Sequence, residues 1–112
     1  MTELQTTIRT ARELIGAGRP AEAAQMIADA LDAEPGNSEA LYALAVAQRH
    51  QHKWADALAS LEQVLGQRPG YGRAHQEVGY NRLARQDYAG ARDAFERAVA
   101  ADPDSIKGHY QF

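Results

Sequence analysis

An all-α solenoid of three helix–turn–helix repeats is the fold class that this sequence predicts. Three observations carry the prediction. Pro35, Pro69 and Pro103 stand 34 residues apart, and Ala23, Ala57 and Ala91 keep the same interval. Further columns agree at that spacing: Ile27, Leu61 and Phe95; Ala30, Val64 and Ala98; Ala11, Ala45 and Gly79. Sliding the chain by one interval therefore lays apolar on apolar, small on small and proline on proline, the mark of a stacked repeat. Within each interval the apolar residues recur at three-and-four spacing, the period of a helix with one packed face.

In the first unit, Ile8, Ala11 and Ile15 share one face of a leading helix, Gly16 and Gly18 make a turn, and Pro20 opens a second helix. Proline suits that first position, where the missing N–H costs nothing. In the second unit, Leu41, Leu44, Ala45 and Gln48 form the leading face, with Ser38, beside Asn37, as the expected N-cap. A turn follows around Gln51 to Lys53, and then a helix packs through Ala57, Leu58, Leu61, Val64 and Leu65. Gly66 and Arg68-Pro69-Gly70 end it, because proline biases the residue before it away from helix. In the third unit, Val78, Gly79, Arg82 and Leu83 lead, Tyr88 marks the next start, and Ala91, Ala94, Phe95 and Ala98 pack. These signals predict helices over 3–16, 20–33, 37–51, 54–67, 71–85 and 88–101.

The small-residue columns let the two helices of a unit approach closely, and Ile27, Leu61 and Phe95 fill the space between one unit and the next. Ile106 to Phe112 read as the start of a fourth helix pair that stops, which implies a chain cut from a longer protein. A solenoid end without a polar cap bares an apolar face, so self-association through the C-terminal end is expected.

The pattern resembles the tetratricopeptide repeat, a helix–turn–helix unit with small residues at the helix crossing and a closing proline. The resemblance runs from Leu4 to Pro103 as three units, with repeats at about 4–37, 38–71 and 72–105 and a partial helix at 106–112 in one domain. The usual turn glycine is kept as Gly18 but stands as His52 and Gln86 later. The usual aromatic at the second helix is Trp54 and Tyr88, but Pro20 in the first unit. The family implies a right-handed superhelix whose first helices line a concave groove for a peptide or partner segment.

Carried over column by column, the groove is lined by Gln5, Ile8, Arg12 and Ile15, by Glu39, Tyr42, Val46, Arg49 and His50, and by Arg73, Gln76, Tyr80 and Leu83. Tyr42 and Tyr80 are expected to supply apolar contact, residue types that commonly dominate binding energy. Arg12, Arg49 and Arg73 are expected to favour an acidic segment, since guanidinium grips carboxylate with two parallel hydrogen bonds. Chaperone-binding members hold a C-terminal carboxylate with lysines, asparagines and an arginine. The matching places here are Ile8, Arg12, Ala43, Arg73 and Glu77. Arg73 keeps the expected charge, Arg12 is a loose substitute, and Glu77 would repel the ligand, so capture of a chaperone tail is not expected.

Segments 41–49 and 72–77 also resemble repeats found before the catalytic domain of certain bacterial sulfotransferases. That likeness implies an accessory domain that recruits substrate or mediates dimerisation; no sulfuryl-donor motif lies within these residues.

Other function classes fare poorly. The chain has 112 residues, no cysteine and a net charge of −3, which removes thiol chemistry and any global attraction to nucleic acid or an anionic membrane. Nothing approaches a membrane span or a secretory signal, so a cytoplasmic protein is expected. His50 and His52, two apart on a helix, point to different faces and have no third ligand, so no metal or cofactor is expected. His75 and His109 share the packing column of Leu41. No nucleophile elbow or phosphate loop is present, and catalysis by this chain alone is not expected. Arg73, Arg82, Arg85, Arg92 and Arg97 make the third unit basic, but Glu77, Asp87, Asp93 and Glu96 interrupt them, unlike a phosphate-tracking stripe.

Overall fold

A computed structural model describes residues 2–103. They form six helices in chain order: α1 (Glu3–Gly16), α2 (Pro20–Leu31), α3 (Ser38–His50), α4 (Trp54–Gln67), α5 (Gly72–Ala84) and α6 (Tyr88–Ala101). The body is elongated, 37 × 24 × 23 Å. The expected segments match to within two residues, and the architecture is the expected right-handed solenoid. The expected start of a fourth pair, and His109, lie outside the described residues.

Each unit closes with the same turn. Arg19 N–H donates to Leu14 O at 2.8 Å and Gly18 N–H to Ile15 O at 3.0 Å. Lys53 and His52 repeat this against Gln48 and Arg49, and Asp87 and Gln86 against Arg82 and Leu83. This pairing of six-to-one and five-to-two bonds satisfies the orphan carbonyls of a helix end and needs a left-handed residue. That residue is Gly18 at φ 80°, then His52 at 61° and Gln86 at 63°. Two non-glycine residues therefore carry a conformation that costs an L-residue about 1–2 kcal/mol. Helix starts vary more. Thr2 caps α1 in a capping box with Gln5, and Asp87 accepts from Gly90 N–H above α6. Asn37, rather than the expected Ser38, caps α3, its side chain accepting from Ala40 N–H at 3.0 Å. Ser38 is already the first helical residue, one step too late for the cap.

The core follows the columns. One cluster joins Ile8, Ala11, Ala23 and Ile27 to Ala40, Ala43 and Ala47 across the first two units. The other joins Leu41, Tyr42, Ala45, Leu61 and Val64 to Ala74, Val78 and Ala94 across the second and third. Ile27 and Leu61 thus seal the unit boundaries as expected. Phe95 does something further: its ring fills the hollow over Gly79 in its own unit, where an added Cβ would lie 2.7 Å from Cε1 and Cζ. The larger ring explains why the small column reads Ala11, Ala45 and then glycine.

Curvature follows from which helices meet. α3 touches both α1 and α5, so the first helices crowd together on one side. Among the described residues the second helices make no comparable contact with one another and fan out on the other side. The inner surface is therefore built by α1, α3 and α5.

Candidate functional site: the inner groove

The inner helices bring three elements to one place around the Tyr42 hydroxyl. Burial raises its pKa well above the ordinary phenol value, with Glu77 and Tyr71 adding to the rise. Arg73 from α5 and Arg12 from α1 oppose it, so both guanidinium groups act on one hydroxyl of α3. Arg12 and Arg73 are both exposed. Tyr42 is different. It is 9% exposed, belongs to the core, and sets its ring 5.3 Å from that of Tyr71. The residue expected to offer apolar contact is thus largely consumed by the scaffold.

Beside it lies an ion pair. Arg49 Nε donates to Glu77 Oε1 at 2.6 Å, while the second arm, Nη2 to Oε2, is stretched to 3.4 Å. The Glu77 side chain is 5% exposed and that of Arg49 26%. Burial pushes the Glu77 carboxyl above the ordinary range, and the charge and hydrogen bond of Arg49 hold it down. The Arg49 guanidinium also lies 4.8 Å over the Tyr80 ring, a cation–π arrangement. Tyr80 is half-buried and meets Phe95 edge-on at 5.4 Å. Its hydroxyl is likewise raised by burial and then by Glu77, against the pull of Arg49.

The remaining expected groove residues are placed as follows. Val46 is half-buried and packs against the core of the last two units. His50 is exposed, and burial, Arg49 and His52 lower its pKa. Gln76 is only 8% exposed, and among the described residues its Nε2 has no hydrogen-bond acceptor, which is costly for a buried amide donor. His52 meets Trp54 edge-on at 5.6 Å, and His75 Nε2 lies 2.7 Å from Pro69 O.

Sequence reasoning placed Arg49 in the groove but missed that Glu77 holds it. Both residues lie on inner-face columns of adjacent first helices, 28 positions apart, but nothing in the repeat pairs them. Tyr71 was also missed; it stacks on Tyr42 and lies under Arg68 at 4.4 Å. Elsewhere the arginines of the third unit are used locally: Arg82 donates to Gly90 O, and Arg92 and Arg97 pair along α6 with Glu96 and Asp93. Among the described residues no group of three metal-ligating side chains occurs, and no helix is long and apolar enough to cross a membrane.

Two tetratricopeptide repeat models match the chain, over residues 14–77 and 49–106. A curated relative, the Hsp70-Hsp90 organizing protein of Triticum aestivum, is 32% identical over 89 residues, which cover 80% of this chain and 15% of that protein. The chain therefore spans about a seventh of that relative. Among solved structures, the Sgt2 TPR domain from Aspergillus fumigatus superposes with a TM-score of 0.85 at 22% identity, over 96% of this chain and 74% of that one. The first TPR of Spaghetti (RPAP3), bound to the HSP90 peptide SRMEEVD, gives 0.81 at 22% identity, over 91% and 81%. The crystal structure of MamA gives 0.79 at 18% identity, over 90% and 59%.

Proposed function

The chain belongs to the tetratricopeptide repeat family, and from that premise we propose that it is a protein-interaction scaffold whose inner groove receives an acidic peptide or partner segment. The observation that carries this reading is the placement of exposed Arg12 on α1 and exposed Arg73 on α5, the two first helices that pack on either side of α3. Guanidinium groups on both flanks of the middle helix suit a carboxylate-bearing chain lying across the three helices. The relatives support the class of activity: one is an organizing protein for two chaperones, and one repeat domain was solved with an acidic peptide.

None of the relatives described above is a sulfotransferase. The segments that resemble sulfotransferase accessory repeats owe their character to buried packing residues such as Leu41, Ala45 and Ala74. That likeness therefore reports the repeat, and no enzyme association is carried to this chain.

The test must spare the core. Tyr42→Ala would open a cavity, so the informative variant is Arg12→Glu with Arg73→Glu, two exposed positions. Partners captured from native extract by the original chain should be lost by this variant at unchanged helicity and melting temperature. Equal capture by both would move the binding site off the groove.

A further inference from the structure

We propose that Glu77 is a built-in competitor for the ligand's carboxylate: it occupies Arg49 in the resting groove and thereby restrains binding of acidic segments. This rests on the groove reading above and deepens it. Arg49 offers a guanidinium with five N–H donors, and one of them is fully engaged, with Glu77 Oε1 at 2.6 Å. The second contact, at 3.4 Å, is too long to be strong, and a quarter of the side chain still meets solvent. The site is thus a carboxylate-binding place with a carboxylate already in it, held by one firm bond and one slack one.

The Arg49–Glu77 contact sets up the competition. Glu77 lies close enough to the Tyr42 and Tyr80 hydroxyls to act on both, and Arg12 and Arg73 act on the first of these. An acidic residue drawn to Arg12 and Arg73 therefore arrives beside a buried negative charge. It can take Arg49 only by displacing Glu77, or else it must tolerate the repulsion. Of the two, displacement is the route proposed, so the opposition of Glu77 passes through Arg49. The neighbouring Tyr80 ring under Arg49 keeps the guanidinium in place when its partner changes.

Glu77→Gln removes the charge and keeps the shape, and Arg49 is exposed enough to remain solvated without it. The probe is the acidic heptapeptide SRMEEVD, with SRMQQVN, in which the side-chain carboxylates become amides, as its comparison, measured by fluorescence anisotropy at low salt. Glu77→Gln should bind SRMEEVD about tenfold more tightly than the original chain, a gain equivalent to about 1.4 kcal/mol. Binding of SRMQQVN should be unchanged. The gain should vanish in the Arg49→Gln/Glu77→Gln double variant. Glu77→Leu serves as a second neutral variant, and all are checked for helicity and melting temperature. If the original chain binds SRMEEVD and Glu77→Gln binds it no better, the competitor role is wrong while the groove reading stands. If the gain persists without Arg49, Glu77 acts by simple repulsion and the proposed mechanism falls. If neither the original chain nor Glu77→Gln binds SRMEEVD, Glu77 is not what keeps an acidic segment out and the competitor role is wrong, while the groove reading stands or falls on the Arg12→Glu/Arg73→Glu capture.

Discussion

The inner helices of the second and third units occupy equivalent places yet bury opposite chemistry. In α3 the interior columns hold Tyr42, Ala43 and Ala47; one interval later α5 holds Gln76, Glu77 and Asn81 in the same columns. Both sets are closed off from solvent, at 9% exposure or less. Asn81 ties its unit to the previous one by donating to Trp54 O at 2.7 Å, Glu77 does so through Arg49, and among the described residues Gln76 Nε2 and Asn81 Oδ1 have no partner. The second unit is thus a packing unit, while the third accepts incomplete polar satisfaction in the surface it shares with the groove. A repeat needs only part of each helix for stacking, so the columns left over are free to carry function.

The sharpest way to break that contrast is to remove Arg49. Glu77 would then be buried without a counter-charge, and Arg49→Ala should cost about 3 kcal/mol at neutral pH. The pH dependence has a definite sign. Burial already raises the folded-state pKa of Glu77, and losing Arg49 removes what holds it down. A carboxyl whose folded pKa lies above its unfolded one stabilises the fold most in acid, and that stability is lost as pH rises through the folded value. Urea melts should therefore show the gap between variant and original narrowing as pH falls from neutral towards the ordinary carboxylate range. A gap that stays constant would mean that the Glu77 charge is not what Arg49 offsets.

Next in size is the hollow. Gly79→Ala drives a Cβ into the Phe95 ring and should cost about 2 kcal/mol. Adding Phe95→Leu, which recreates the Ala45–Leu61 pairing of the second unit, should recover most of the loss. Failure of that rescue in thermal melts would show that the ring has a role beyond filling space.

Smaller still are the helix starts. Asn37→Ala removes the α3 cap and should cost about 1 kcal/mol. Tyr71, one interval on, makes no side-chain cap bond and instead packs on Tyr42. Tyr71→Asn should therefore gain a cap, lose a ring contact and leave denaturation nearly unchanged. The smallest effects lie in the turns, where His52→Gly and Gln86→Gly should each stabilise by about 0.5–1 kcal/mol by relieving a positive φ. Gly18→Ala should do the reverse, and equal responses at all three positions would contradict the shared turn geometry.

Nearly all of the scaffold was legible in the sequence. Residues that repeat every interval do so because they face the same neighbours, so Ala23, Ala57 and Ala91 or Ile27, Leu61 and Phe95 announced the packing before any coordinates. The groove was less legible because its columns change from unit to unit. Column position located Arg12, Tyr42, Arg49, Arg73, Gln76 and Tyr80 on the inner helices, but exposure depends on side chains from neighbouring units. Tyr42 is covered through Tyr71, and Arg49 is claimed by Glu77. Neither pairing has a repeat signal, since each joins two positions that occur once. The Asn37 cap was missed by a single residue, the scale on which two adjacent capping types cannot be separated by pattern alone.

A final consequence follows from the stacking order. Among the described residues, α3 is packed against four other helices, while α6 packs chiefly against α5. Amide hydrogen exchange should therefore be graded along the chain, because openings that expose an outer unit need not disturb its far neighbours. The slowest-exchanging amides should lie in α3 and α4, which have units on both sides, and protection should fall away through α1 and α6. On that scale the Arg49–Glu77 pair joins the most persistent part of the molecule to a part that opens more often, so the groove spans a boundary between two lifetimes.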